Sequence, residues 1–107
     1  MKPYTTPVLE VQLDIPQETV RSIKFLFKQE REPTATALLL KKYPGEVKFE
    51  DGVYKVPFTQ KETTLFATDK YFFMDTLITD QNGKIPDTPI VSLFMSRTLF
   101  TAEEAIE

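Results

Sequence analysis

Few residue types in this 107-residue chain can do chemistry, because it contains no His and no Cys. That removes the commonest general base, the commonest transition-metal ligand, the thiolate nucleophile and cysteine-ligated zinc. Hydroxyls, ammoniums and carboxylates remain, and the stretch Thr59-Gln60-Lys61-Glu62-Thr63 gathers all three. A catalytic reading makes Thr59 or Thr63 a nucleophile with Lys61 or Glu62 as its base, yet nothing nearby in sequence supplies an orienting third group or an oxyanion hole. The structural reading needs nothing further. Thr-x-x-Glu is a capping box, in which the Thr hydroxyl accepts from the backbone N–H three residues on and the Glu reaches back to the cap N–H. The stretch is therefore expected to open one short helical turn near residues 60–66, with Leu65 and Phe66 folding inward, and the chain is expected not to be an enzyme.

Asp69, Asp80 and Asp87, with Asn82, raise calcium as a second chemistry, since hard cations take several carboxylate and carbonyl oxygens. Their spacing does not fit an EF-hand loop. Turn geometry accounts for them, because Asp and Asn hydrogen-bond their own backbone. No metal or other cofactor is expected.

The elements that position these groups read as β. Nine Phe, four Tyr and fourteen Thr stand against three Gly, a composition suited to pleated, half-buried surfaces. Leu9, Val11, Leu13 and Ile15 alternate with polar residues, and Ile23, Phe25 and Phe27 alternate with Ser22, Lys24 and Lys28, giving two strands with one apolar face each. The row Ser22, Lys24, Leu26, Lys28 is expected to be solvated. Segment 34–43 can sustain two helical turns or a strand; strand is favoured, since an isolated helix that short is marginal and every neighbour is β. Asp51-Gly52 turns one hairpin, with Val47, Phe49, Tyr54, Val56 and Phe58 facing in. Asn82-Gly83 turns another, between the strand Tyr71–Thr79 and a last strand Ile90–Phe100, with pairing after Pro89 because proline is excluded from central strand positions. On these strands Phe72, Met74, Thr76 and Ile78 face Val91, Leu93 and Met95. The sum is a single domain over 1–107, an all-β antiparallel sandwich of about seven strands with an immunoglobulin-like Greek key. The tail 101–107 is expected to be a capped helical fragment or frayed.

The alternation leaves Tyr71, Phe73 and Leu77 on the face opposite Phe72, Met74 and Ile78. An outer face this apolar is uncommon on a solvated sheet. It is covered by the chain's own tail, buried in a subunit interface, or open to a sugar or peptide. Net charge is −3, with 13 basic residues scattered among 16 acidic ones, so no footprint for nucleic acid is present. No apolar run suffices to cross a bilayer and no signal peptide is apparent, so the chain is expected in the cytoplasm until it is assembled.

Four stretches together resemble small structural-module proteins of tailed phages and prophages of gut Firmicutes. They are Tyr4-Thr-Thr-Pro7 leading into the strand Val8 to Ile15, the strand Val20 to Gln29, the stretch Phe58-Thr-Gln-Lys-Glu-Thr-Thr-Leu-Phe66, and the Gly83-Lys84 hairpin with its following strand. The resemblance implies a virion component made in the bacterial host cytoplasm, a homo-oligomer or a partner of other virion proteins, with no catalytic or ligand residues to transfer. Its motifs are of the fold and not of any chemistry, and bulky Tyr71 and Phe73 depart from the pattern. A carbohydrate- or surface-binding adhesion module is the alternative.

Overall fold

A computed structural model describes residues 1–105. Its strands run in the order β1 (Val8–Val11), β2 (Val20–Lys28), β3 (Ala37–Tyr43), β4 (Lys48–Glu50), β5 (Val53–Pro57), β6 (Lys70–Asp80) and β7 (Val91–Met95). Two short helices, α1 (Gln60–Thr63) and α2 (Ala102–Ala105), and one 3-10 turn at Gln17–Thr19 complete the elements. All strand pairs are antiparallel. They form a three-stranded sheet β1-β5-β4 and a four-stranded sheet β3-β2-β6-β7. The expected all-β sandwich is therefore present, and segment 34–43 supplies a strand.

The strand order differs from the immunoglobulin arrangement in the placement of β2. In constant-type immunoglobulin domains the second strand lies in the sheet of the first, fourth and fifth, whereas here β2 sits between β3 and β6. The physical reason is local. The chain turns back after Lys28 and lays β3 along β2 from Lys28↔Ala37 to Ile23↔Tyr43, so the two strands form a hairpin and do not cross between sheets.

The core lies where the two inner faces meet. Ile23, Phe25, Phe27, Phe72, Met74, Ile78 and Met95 from one sheet are buried against Val47, Tyr54, Val56 and Phe58 from the other side, each large side chain contributing about 1.5–3 kcal/mol by its burial. Phe27 is the aromatic centre, with ring centroids 5.2 Å from Phe58 and 6.4 Å from both Phe66 and Phe72. The Phe58 and Phe66 rings meet it edge-on, a geometry that favours the rings beyond their area alone. Phe66 plugs the end of the sandwich as expected. Leu65 does not: it is 43% exposed, because the chain leaves α1 with one residue in and its neighbour out.

Both turns are made as the sequence suggests. Asp51 and Gly52 hold φ of 53° and 80°, the paired left-handed residues of a type I′ hairpin. At the second, Asp80 N–H donates to Lys84 O around a three-residue loop with Gly83 at φ 79°. β7 then pairs only with the first half of β6, from Met74↔Val91 to Lys70↔Met95, after the prolines at 86 and 89. None of the described helices is long and apolar enough to cross a membrane.

Candidate functional site

The capping box at α1 is complete. Thr59 Oγ1 accepts from Glu62 N–H at 3.1 Å, and Glu62 Oε1 accepts from Thr59 N–H at 2.8 Å. The same Oε1 also accepts from Lys41 Nζ at 2.9 Å. Lys41 projects from β3 on the inner side, opposite Phe25, and its side chain is only 8% exposed. Burial acts to raise the Glu62 carboxyl, but the bonds from Lys41 and Thr59 outweigh it and hold the group below the ordinary carboxylate range. A carboxylate so held is a weak base. Thr63 is fully buried; its hydroxyl donates to Gln60 O at 2.7 Å and accepts from Tyr4 N–H at 2.9 Å. The Thr63 hydroxyl is thus committed to backbone groups on both sides, and the corner is a joint between β3, α1 and the N-terminal segment.

The loop carboxylates do not converge. Asp80 Oδ1 accepts from Asn82 N–H and Lys84 N–H at 2.9 and 2.8 Å, which closes its turn. Asp69 Oδ2 accepts two bonds from the Arg97 guanidinium, at 2.9 and 2.6 Å. Among the described residues no group of three His, Cys, Asp or Glu side chains could hold a metal ion.

The outer face of the four-stranded sheet is different in kind, and strand register lays it out as rows. The first row is Lys42, Lys24 and Leu77; the second is Leu40, Leu26 and Asp75; the third is Lys28, Phe73 and Ser92; the fourth is Tyr71 and Phe94. Tyr71, Phe73 and Leu77 are all here, as their alternation requires. Tyr71 is 59% exposed and Leu77 48%. Phe73 is less open, since the Arg31 guanidinium from the β2–β3 loop lies 5.5 Å from its ring centre, a cation–π contact. Gln29 fastens that loop, donating to Tyr71 O and accepting from Ala67 N–H.

Two further residues enlarge the patch: Phe94, 40% exposed and edge-on to Tyr71 at 5.0 Å, and Leu40, 42% exposed. Phe94 was within reach of the alternation that sets Leu93 and Met95 inward, whereas Val91, expected with them, is itself 40% exposed. Arg31 was not, since loop residues carry no period.

The described part of the tail does not lie over this face. Thr101 caps α2 through Glu104, and Ala105 O accepts from Gln60 Nε2 at 3.2 Å, so the described part of the tail packs beside α1. Of the expected tail, residues 106–107 lie outside the described residues. Comparison with protein-family models, with curated proteins and with solved structures finds no match to the chain.

Proposed function

We propose that the chain is a non-enzymatic structural component of a tailed-phage or prophage particle, which docks on a larger component or on itself through the outer face of its four-stranded sheet. The observation that carries the interaction is the exposure of four large apolar side chains on one sheet face, Tyr71 with Phe94 towards one end and Leu40 and Leu77 towards the other. Clustered side chains of this kind mark protein contacts, where scattered ones would need no explanation. The virion setting rests on the resemblance carried by the stretches around Tyr4-Thr-Thr-Pro7, Val20 to Gln29, Phe58 to Phe66 and Gly83-Lys84. A sugar platform is the weaker reading, because Arg31 already occupies one of the two aromatic faces it would use.

The test is incorporation. Peptides of this chain are expected in gradient-purified particles by mass spectrometry, and particles made with Tyr71→Asp/Leu77→Asp in its place are expected to lack it while the free variant keeps wild-type circular dichroism. Absence of the wild-type chain from purified particles overturns the virion setting. Undiminished incorporation of the folded double variant overturns the docking face.

A further inference from the structure

The outer face carries charge of both signs, sorted along the strands. At one end Lys24 and Lys42 share the row of Leu77. At the other, beyond Lys28, the chain enters the β2–β3 loop, where exposed Glu30 and Glu32 border the depression over Phe73. Between the ends lie Leu40, Leu26 and Asp75 in one row and Lys28 and Phe73 in the next. The Arg31 guanidinium sits over the Phe73 ring, and Lys28 Nζ donates to Pro33 O at 2.9 Å. Asp87 borders the face beside Leu77. The three lysines and Arg31 thus balance the two glutamates, Asp75 and Asp87, and a partner of one sign gains at one end of the face what it loses at the other.

The occupant that matches both ends is the face itself. A two-fold axis lying in the plane of contact and crossing the strands midway between the Leu26 and Lys28 rows keeps β2 over β2 and reverses the order of the rows. Lys24 and Lys42 of one copy then meet Glu30 and Glu32 of the other. Leu77 meets Tyr71, and Asp75 meets the Phe73 row, where Arg31 lies. Every contact occurs twice, as an isologous interface requires, and the two sheets pack with their strands aligned, one of the two ordinary ways for sheets to stack.

We propose that a second copy of this chain occupies the face, giving a two-fold dimer in which the lysine end of each copy pairs with the glutamate end of the other. The inference rests on the docking face proposed above and names its occupant. Leu26, Leu40, Leu77 and Tyr71 lose their exposure to water between the copies, so apolar burial supplies the attraction and the charges fix the register. With strands about 4.8 Å apart and rows about 7 Å apart, the face measures roughly 500 Å² on each copy. The total of about 1,000 Å² lies at the lower bound for a specific interface, so the dimer is weak and depends on concentration.

Sedimentation equilibrium tests this. The wild-type chain is expected to pass from monomer to dimer with rising concentration, half associated below about 100 µM. K24E/K42E sets acid against acid at both ends and E30K/E32K sets base against base, and each is expected to weaken the dimer at least roughly tenfold. The quadruple variant K24E/K42E/E30K/E32K exchanges the two ends, and its substitutions cancel to leave the net charge at −3. It is expected to regain dimerisation to within about threefold of wild type, which neither lost structure nor overall charge could bring about. A wild-type chain still monomeric at about 1 mM, a dimer that K24E/K42E does not weaken, or a quadruple variant with wild-type circular dichroism that associates no better than the double variants overturns the proposal. If that happens while Tyr71→Asp/Leu77→Asp still blocks incorporation, the second copy is wrong and the docking face stands.

Discussion

The α1 corner and the outer sheet face both set lysine beside apolar side chains, and they resolve it in opposite ways. At the corner Lys41 is buried and its charge is met by Glu62 at 2.9 Å, and that carboxylate is met in turn by a backbone N–H. On the outer face Lys24 and Lys42 face each other across a strand pair beside half-exposed leucines. Polar groups that serve stability are paired within the chain, since an unpaired charge in the interior costs several kcal/mol. Groups left unpaired at the surface cost the fold little and remain available to something else. This contrast separates a structural joint from a candidate contact surface in a chain without His or Cys.

The contrast breaks most visibly if Glu62 is removed. Glu62→Ala strands the Lys41 ammonium in a nearly closed site and is expected to lower stability by about 3 kcal/mol in urea unfolding. A loss as small as that of a surface substitution would mean the pair is solvated. Acid should act on the same joint. The Glu62 carboxyl is held below its ordinary value of 4.5, so its contribution is complete above that pH and lost as pH falls through the lower folded value. Wild-type protein should therefore lose more stability than Lys41→Met between neutral pH and acid, and parallel curves would refute the assignment.

Thr59→Ala removes one capping bond and is expected to cost about 1 kcal/mol by the same unfolding measurement. Smallest should be Leu77→Ser on the outer face, within about 0.5 kcal/mol of wild type. A clearly larger loss there would show that the face supports the fold and is not held for a partner.

Much of the fold was legible because a period of two leaves little freedom. Phe25 and Phe27 on one strand, and Phe72, Met74 and Ile78 on another, can face one way only, and all are buried. Asp51-Gly52 and Asn82-Gly83 fixed the turns for similarly local reasons. What escaped was decided at a distance. The sheet to which β2 belongs depends on which neighbour it meets, and the immunoglobulin-like order and the sandwich found here place the same inward residues on that strand. The run Leu38-Leu39-Leu40-Lys41-Lys42 does not say which lysine faces inward, and the partner of Lys41 lies 21 positions away in a motif that is complete without it. Exposure of Leu65 hinged on the direction in which the chain leaves α1. Among the site residues Tyr71, Phe73 and Leu77 could be read from the sequence, whereas Arg31 over Phe73 depended on a loop folding back.

The Lys41–Glu62 pair has a kinetic meaning as well. Lys41 is carried by the edge strand of one sheet and Glu62 by the corner that follows the other, so the contact can close only when the two sheets have already docked. Interactions that form after the rate-limiting step leave the speed of folding alone and govern the lifetime of the product. Glu62→Ala should accordingly accelerate unfolding in stopped-flow while leaving refolding near the wild-type rate; a slowed refolding arm would place the corner in the nucleus instead. With unfolding faster and refolding unchanged, the joint is a latch that closes late and sets how long the folded chain persists.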